Sequence, residues 1–467
     1  MTIPRLERVF RGDKPVYAAL GDVLADAISN GQLAPGERLP THRAMAERLG
    51  VTTATVTRAY MEAERRGLVR GEVGRGTFVR STPEALGRFD FGREVRPGVT
   101  DLALNLPPVG SPGEEQAIFA EGLRGLANQP DVIRLLHYQP VHVLPEHRLA
   151  GAKWLERCGV SAPPGEVVVT AGSQHGLFVA LAAVTKPGDE VLTEALTYPG
   201  LKSAAEMLHL RLRAVPIDDE GVLPEALDAA TKGGGRVVYL VPTLHNPTTG
   251  TMSLRRRRAV AEVIERRALT LVEDDIHALL LADAERPRPL SALAPERSIY
   301  IANTAKVLAP ALRVSYLRAP GTIVERVVSA VQASIWMTSP LGAELATHWI
   351  ESGVADRLVA LRRKEAAARQ SLAKKALAGW SYRFHAAAYH GWLTIPEPWR
   401  TDAFVARLGE RGVAVTAAEA FVVDRAVAPQ AVRLCLGSAS DRKVLGAALD
   451  IVRTTLEEGP RPRRTLV

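Results

Sequence analysis

Short apolar runs alternate with helix-length periodic segments through most of this 467-residue chain. The runs hold three to five residues each, at 167–170, 191–193, 237–241, 269–272, 299–302 and 314–317. Parallel strands must be joined by crossover connections, which are usually helices, so this alternation predicts an α/β domain with a largely parallel sheet. We expect this domain to occupy residues 101–467, with a smaller C-terminal α/β lobe that starts near Gly353.

The first 80 residues show a different pattern, in which short helices precede a ribbon. Apolar spacing, capping threonines and terminating glycines predict helices at 15–30, 41–49 and 52–66, and residues 68–80 are typical of a two-stranded ribbon. This order is that of a winged helix-turn-helix, whose third helix enters the major groove of double-stranded DNA. We predict a DNA-binding domain at 1–80. Residues 81–100 are weakly patterned and are predicted to be a linker.

Composition and charge narrow the function. The formal net charge is +8, and residues 1–80 carry 13 Lys and Arg against 9 Asp and Glu, which favours a polyanionic partner such as DNA. A hydrophobic content of 46% excludes a mostly disordered chain. The two cysteines make neither a zinc site nor a disulfide framework, and His137, His142 and His147 do not share a helix face, so we predict no metal. No apolar run approaches the ~20 residues that span a bilayer, and we expect a cytoplasmic protein.

Chemistry-bearing residues follow the predicted strands in order. They are Ser173, Gln174, Tyr198, Asn246, Asp274, Lys306 and Arg313. Ligands of open α/β sheets bind at the carboxyl ends of the strands, so we expect these side chains to converge. Together they suit pyridoxal phosphate: a helix start and an arginine for the phosphate, an aromatic face, a donor for the phenolic oxygen, a carboxylate for the ring nitrogen and a lysine for a Schiff base. Each residue alone is a common feature, but the ordered set predicts this cofactor.

The first domain resembles the GntR-type winged helix. The resemblance rests on four segments, at 36–43, 49–52, 56–60 and 74–79. It implies DNA contacts by Arg43, by Thr53 and Thr57 of the third helix, and by Gly76 of the wing. Thr53 stands where relatives often carry arginine. From position alone we add Arg58, on the exposed side of the third helix, and Arg75, beside the wing glycine.

Residues 101–467 resemble the fold-type-I aminotransferases. The resemblance implies that Lys306 forms the Schiff base, that Asp274 pairs with the ring nitrogen, that Asn246 donates to the phenolic oxygen and that Tyr198 stacks on the ring. It implies phosphate contacts by Ser173, Gln174 and Arg313, and a carboxylate clamp for a substrate or effector at Arg433. The sequence departs from the family in three places: His277 replaces a tyrosine and is expected to donate to the phenolic oxygen, Asn303 and Ala305 replace hydroxyl residues, and Val143 stands near a usual glycine.

A GntR-type winged helix followed by an aminotransferase-like domain resembles the MocR subfamily of transcription regulators. The resemblance implies a homodimer that binds a double-stranded DNA operator and responds to pyridoxal phosphate or to a small amino compound. Two alternatives stay open. The first alternative is that the chain is a working aminotransferase, and the departures at His277, Asn303 and Ala305 disfavour it. The second is that the chain is a regulator whose large domain only dimerises, and the retained cofactor residues disfavour that.

Overall fold

Two compact units, Met1–Phe89 and Asp90–Val467, make up the computed structural model. The structure describes residues 15–29, 32–33, 37–65, 68–72, 76–79, 98–423 and 428–460. Most of the predicted linker and the wing residue Arg75 lie outside these residues. Residues 98–100 fall within the predicted linker but belong to the large unit, because Thr100 begins a strand of that unit.

The small unit contains helices α1 (Val16–Ser29), α2 (His42–Leu49) and α3 (Thr53–Arg65), followed by the antiparallel strands β1 (Val69–Glu72) and β2 (Gly76–Val79). Thr41 caps α2 by accepting a hydrogen bond from the Ala44 amide, and Gly50 ends it in the left-handed conformation. Residue Leu39 donates to the Thr77 carbonyl at 2.8 Å, so the chain before α2 adds to the ribbon. This is the predicted winged helix-turn-helix order.

The large unit alternates strands and helices. Its strands are β3 (Thr100–Asp101), β4 (Val167–Thr170), β5 (Glu190–Glu194), β6 (Arg211–Val215), β7 (Ile217–Asp218), β8 (Gly221–Val222), β9 (Val237–Leu240), β10 (Thr270–Asp274), β11 (Ser298–Asn303), β12 (Ser315–Arg318), β13 (Tyr382–Phe384), β14 (His390–Thr394), β15 (Val413–Ala414), β16 (Thr416–Ala417) and β17 (Ala431–Cys435). Its helices are α4 (Pro112–Ala127), α5 (Pro145–Arg157), α6 (Ser173–Val184), α7 (Pro199–Met207), α8 (Pro224–Ala230), α9 (Leu254–Arg266), α10 (Leu290–Leu293), α11 (Val324–Ile335), α12 (Pro340–Glu351), α13 (Val354–Ala376), α14 (Thr401–Glu410) and α15 (Arg442–Glu458).

A seven-stranded sheet in the order β4-β12-β11-β10-β9-β5-β6 forms the centre of this unit. The strands run parallel except β12, which is antiparallel to both neighbours. Both faces are covered. On β9, Tyr239 packs with Leu177 of α6 and Val327 of α11 on one face, whereas Val238 packs with Val260 of α9 on the other. Burial on both sides explains why the strands are continuous apolar runs. The predicted α/β fold class is confirmed.

The C-terminal lobe is a second α/β layer. Helix α13 begins at Val354, directly after Gly353, and is followed by an antiparallel sheet in the order β13-β14-β17-β16. The start of the large unit returns to this lobe, because β3 pairs with β15 and Leu102 packs among the apolar residues of α14 and α15. In the described part of the chain, no helix is both long and apolar enough to cross a membrane.

Candidate functional site

Asp274 lies at the end of β10 with its two carboxylate oxygens in different surroundings. Its Oδ2 accepts a hydrogen bond of 2.6 Å from the Tyr239 hydroxyl on β9. Its Oδ1 is buried and has no hydrogen-bond partner among the described residues. Burial is the largest influence on Asp274 and raises its pKa to about 7, although the Tyr239 hydrogen bond acts to lower it. The free oxygen suits Asp274 to pair with a protonated ring nitrogen.

Lys306 follows β11 and is partly buried near Asp274, whose charge it feels. Its Nζ donates to the backbone carbonyl of Asn105, and its own carbonyl accepts a hydrogen bond of 2.7 Å from the Tyr389 hydroxyl. Burial lowers the pKa of Lys306 to about 8, and the nearby Arg433 acts in the same direction. The neutral amine is the nucleophilic form of lysine, so this environment prepares Lys306 to attack an aldehyde.

The turn between β4 and α6 forms a seat for an anion. Gly172 has a φ of 84°, and a Cβ there would come within 2.8 Å of Arg313 Nη2, so glycine lets this guanidinium lie across the helix start. Arg313 is exposed and donates to the Ala171 carbonyl at 2.9 Å. Ser173 is the first residue of α6, and its hydroxyl accepts a hydrogen bond of 2.9 Å from Asn303 Nδ2. The free N–H groups of a first helical turn and a nearby cation favour a phosphate.

Tyr198 and Gln174 both pack against Gly200 at the start of α7. Gln174 Nε2 donates to the Gly200 carbonyl at 2.9 Å, and its Oε1 is buried without a hydrogen-bond partner in the described part of the chain. A Cβ on Gly200 would lie 2.2 Å from both the Tyr198 ring and Gln174 Oε1. Tyr198 also lies near Asp274 and Arg313, since the charges of both affect it. The ring is therefore fixed between the carboxylate and the anion seat.

Asn246 and Arg433 join the two lobes at the site. Arg433 of β17 is buried, and its Nη1 donates to Asn246 Oδ1 at 2.7 Å while its Nη2 donates to the Ala103 carbonyl at 2.6 Å. The guanidinium also lies 4.8 Å from the centre of the Phe421 ring. Because its Oδ1 faces Arg433, the Asn246 amide nitrogen is left to act as a donor. A guanidinium held in this way can also donate hydrogen bonds to a ligand carboxylate.

His277 is buried next to these groups. Its Nε2 lies 3.4 Å from Asn105 Nδ2, and its ring lies 5.7 Å from that of His390. Burial lowers the pKa of His277 well below its usual range, so the ring is neutral at physiological pH. A neutral imidazole carries one N–H and can donate once, as the replaced tyrosine would.

These residues fit pyridoxal phosphate. One buried polar atom, Asp274 Oδ1, is an acceptor without a hydrogen-bond partner within the described residues, and a protonated ring nitrogen would supply the donor that such a buried group needs. Asp274 and Lys306, whose pKa is lowered, follow the adjacent strands β10 and β11, and the helix start follows β4 of the same sheet. The predicted residues Ser173, Gln174, Tyr198, Asn246, Asp274, His277, Lys306, Arg313 and Arg433 are thus brought to one edge of the sheet.

The small unit exposes most of its predicted DNA-contacting residues. Arg43 on α2 and Thr53 and Arg58 on α3 are exposed. Gly76 has a φ of 120°, and a Cβ there would come within 2.7 Å of Arg38 Nε, so the wing glycine leaves room for a guanidinium. Met61, three residues after Arg58 on α3, is 64% exposed. The predicted contact by Arg75 lies outside the described residues.

Thr57 differs from the others because its hydroxyl is engaged inside the unit. It donates to the Thr53 carbonyl at 2.9 Å and lies 3.1 Å from His42 Nδ1. Since the hydroxyl proton goes to the carbonyl, the bond to His42 requires the proton on Nδ1. Thr57 is half-buried, so its hydroxyl is a weaker candidate for reading a base than the exposed Arg58 guanidinium.

Several residues at the cofactor site were missed by the sequence analysis. Asn303, counted there only as a lost hydroxyl, donates to Ser173 and accepts from the Ala305 amide, so it organises the anion seat. Tyr239 supports Asp274, and Asn105 contacts both Lys306 and His277. Tyr239 could have been found, because it is the one residue with a polar group in the apolar run at 237–241. Nothing in the sequence indicated that Asn105 belongs to the site.

Comparisons with known proteins support both units. Residues 16–79 match the model of the gntR family of bacterial regulatory proteins, and residues 126–452 match that of aminotransferase class I and II. The HTH-type transcriptional regulator YdeF of Bacillus subtilis is 30% identical over 96% of both chains. The HTH-type pyridoxine biosynthesis transcriptional regulator PdxR of Corynebacterium glutamicum is 27% identical over 72% of both. The structure of LysN, an alpha-aminoadipate aminotransferase of Thermus thermophilus complexed with N-(5'-phosphopyridoxyl)-L-leucine, matches with a TM-score of 0.69 at 27% identity, covering 78% of this chain and 94% of that one.

The fold and the site define a pyridoxal-phosphate-binding domain of the aminotransferase class joined to a winged helix of the GntR type. The aminotransferase model alone matches well over half of the chain. With a regulator of the same length that is 30% identical, the combination identifies the family. The chain belongs to the MocR subfamily of GntR-type transcription regulators, and the predicted family is confirmed.

Proposed function

We propose that this regulator binds an operator through residues 1–80 and is controlled at the edge of the large sheet, where pyridoxal phosphate, or a small amino compound that reacts with it, is held. The observation that carries the proposal is the pair formed by Asp274 and Lys306. A buried carboxylate with a free oxygen lies near a lysine whose pKa is lowered to about 8. A raised pKa on a carboxyl beside a lowered pKa on a lysine is typical of functional sites.

Each residue has a distinct task in this proposal. Pyridoxal phosphate, when bound, supplies an aldehyde and an electron-withdrawing ring. Lys306 offers a neutral amine, and Asp274 Oδ1 holds a proton at the ring nitrogen. Asn246 and His277 donate toward the phenolic oxygen, and Tyr198 covers the ring. Ser173, Gln174 and Arg313 bind the phosphate at the start of α6.

The effector is a small compound with an amino and a carboxylate group. Arg433 would bind the carboxylate of the effector. It is buried, it is oriented by Asn246, and it lies close enough to Lys306 to lower the pKa of that lysine. The amino group would react where Lys306 lies. The regulator proposal is favoured over a working aminotransferase by the winged helix and by relatives named as transcriptional regulators.

Borohydride trapping tests the cofactor site. We expect the wild-type protein, incubated with pyridoxal phosphate and reduced, to carry one cofactor mass on the peptide that contains Lys306, and Lys306→Ala to carry none. Lys202→Ala is the matched control, because Lys202 is also partly buried but donates to the Ala420 carbonyl. Equal labelling of Lys306→Ala and wild type would show that another lysine holds the cofactor.

Salt titration tests the DNA contacts. We propose that Arg43 and Arg75 contact the DNA backbone or minor groove, that Arg58 and Thr57 face base edges, and that Thr53 and Gly76 also contact DNA. Arg43→Ala should lower the salt slope by about 0.9 and weaken operator and random DNA alike. Arg58→Ala should cost roughly 1–3 kcal/mol on the operator and little on random DNA. Equal losses by Arg58→Ala on both DNAs would refute this assignment. Footprinting on the protein's own upstream DNA would locate the operator.

We propose that the protein is a homodimer, and exposed apolar side chains on the large unit support this proposal. These side chains are Leu106, Val109, Phe119, Leu123, Ile133, Leu136, Tyr138, Trp336 and Leu341. Two of them adjoin, because the rings of Tyr138 and Trp336 lie 6.2 Å apart, and the exposed Phe119 packs on the buried Trp349. Contiguous exposed apolar area marks an interaction surface. Sedimentation should show a dimer, and Leu136→Glu should give monomers; an unchanged dimer would place the interface elsewhere.

A further inference from the structure

Asp274 is held by a second buried residue that no role above requires. Tyr239 is fully buried on β9, and its hydroxyl donates to Asp274 Oδ2 at 2.6 Å. Tyr239 pairs in register with Val272, two residues before Asp274, so the sheet itself fixes the distance between them. With Oδ2 occupied, the oxygen that remains for a ligand is Oδ1.

A second carboxylate lies at the end of the strand beside β9, because Thr193 of β5 pairs in register with Tyr239 and Glu194 is the next residue. Glu194 ends β5 and is fully buried, and its Oε2 accepts a hydrogen bond of 3.1 Å from the Val241 amide. Its Oε2 also lies 3.6 Å from His245 Nε2. The Thr248 amide is directed at His245 Nδ1 at 3.4 Å, so Nδ1 accepts and the proton lies on Nε2, facing Glu194. The position of Glu194 is therefore held by its hydrogen bond to the Val241 amide.

Burial is the largest influence on the Asp274 carboxyl, and four side chains also act on it. Tyr239 donates to it and Lys306 attracts its charged form, so both lower its pKa. Glu194 and Asp275 repel the charged form and raise its pKa, and the ring of Tyr198 lies close enough to be affected by Asp274. Burial adds to the two repulsions. The protonation of Asp274 is thus balanced between Tyr239 and Lys306 on one side and two carboxylates on the other.

We propose that Tyr239 and Glu194 are positioning residues for Asp274, with opposite effects: Tyr239 fixes Oδ2 so that Oδ1 faces the ring nitrogen of the cofactor and keeps the carboxyl ionised, whereas Glu194 opposes ionisation. The two residues set the pH below which the cofactor is lost. This inference rests on the proposed role of Asp274 as the partner of the ring nitrogen.

The fold provides a matched control. Tyr300 is also fully buried, on β11, and its hydroxyl donates to Asp275 Oδ2 at 2.9 Å. Tyr300 and Tyr239 belong to core clusters on opposite faces of the sheet. Tyr300→Phe therefore removes the same kind of hydrogen bond from the adjacent aspartate without touching Asp274.

The experiment measures the equilibrium affinity of the cofactor-free, full-length protein for pyridoxal phosphate between pH 5 and 9. We expect the acidic midpoint of the affinity profile to move up in Tyr239→Phe, by about one pH unit, which is about tenfold in affinity below the midpoint. In Glu194→Gln the midpoint should move down, and in Tyr300→Phe it should move less than in Tyr239→Phe, because that variant reaches Asp274 only through Asp275. A purely structural role would weaken binding at every pH and leave the midpoint in place.

Two results would overturn the inference: a midpoint in Tyr239→Phe equal to that in Tyr300→Phe, or shifts of the same sign in Tyr239→Phe and Glu194→Gln. If Glu194→Gln does not fold, the comparison of the two tyrosine variants decides alone. Asp274→Asn separates the proposed role of Asp274 from the proposed role of Tyr239 in positioning it. Wild-type affinity in Asp274→Asn at every pH would refute the role of Asp274 itself, whereas a loss of affinity there with no shift in Tyr239→Phe would refute only the positioning.

Discussion

Replacing Asp274 by asparagine should stabilise the cofactor-free protein at neutral and alkaline pH. The carboxyl is 3% exposed, and burial raises its pKa from the ordinary 3.8 to about 7. The folded protein therefore holds this proton more tightly than the unfolded chain does. The resulting stabilisation is complete below about pH 4, is lost as the pH rises to about 7 and stays lost above it.

The size of the effect follows from the pKa difference. A gap of about three units, at about 1.4 kcal/mol per unit, means that the ionised carboxyl costs up to about 4 kcal/mol at pH 8. Asparagine resembles the protonated acid: its carbonyl oxygen can still accept from Tyr239, and its NH₂ replaces the O–H. We expect Asp274→Asn to gain about 2–4 kcal/mol of unfolding free energy at pH 8 and almost nothing at pH 4.

Urea unfolding of the cofactor-free protein, followed by tryptophan fluorescence, measures this effect in the large unit, because all six tryptophans lie there. Asp228→Asn is the control of opposite sign: Arg267 and Arg266 hold the pKa of the half-buried Asp228 below its usual range, so this variant should gain nothing at pH 8. An Asp274→Asn gain that is equal at pH 4 and pH 8, or absent at both, would refute the reasoning. The same variant should bind pyridoxal phosphate more weakly.

Three further predictions concern packing and capping. Arg257 is fully buried, and its guanidinium lies 3.7 Å from the Glu273 carboxylate. Arg257→Met should lower the unfolding free energy measured in urea by about 3–5 kcal/mol, because it leaves that carboxylate buried without its cation. Arg257→Met combined with Glu273→Gln should recover part of the loss. Gly200→Ala places a Cβ 2.2 Å from the Tyr198 ring, so equilibrium binding should show weaker cofactor affinity, whereas Gly188→Ala, with no atom near, should not. Thr41→Ala removes the cap of α2 and should lower the melting temperature of an isolated 1–80 fragment by the equivalent of about 1 kcal/mol; an unchanged melting temperature would show that water replaces the cap.

The elements that the sequence predicted are those governed by local patterns. The strand from 167 to 170 and the helix ended by Gly50 match the structure because burial on both faces and a left-handed glycine leave local marks. The strand that carries Asp274 begins and ends later than predicted, since the apolar run stops at Val272 but the ladder continues with β11 through Asp274. Hydrogen bonding, not hydrophobicity, sets that boundary.

Partners that are distant in sequence could not be predicted. Asn105 lies 172 residues from His277 and 201 from Lys306, and Arg433 lies 187 residues from Asn246. No periodicity links such pairs, because the fold alone brings them together. The engagement of Thr57 by His42 has the same origin: it depends on how α2 crosses α3, whereas the sequence predicted that Thr57 lies on the exposed side of the third helix.

The unsatisfied buried groups of the site also bear on the proposed response to a ligand. A buried carboxyl with a raised pKa, a lysine with a lowered one and orphaned polar atoms all destabilise the cofactor-free large unit. A domain that served only for dimerisation would be more stable with apolar residues at Asp274 and Lys306. A ligand that satisfies these groups stabilises the folded unit by an amount that grows with its concentration over Kd, so occupancy and local stability are linked. Because Arg433 connects the C-terminal lobe to the Asn246 loop at this site, a ligand carboxylate that competes for Arg433 would change the contact between the lobes as it binds. The same groups that recognise the ligand can therefore transmit its presence.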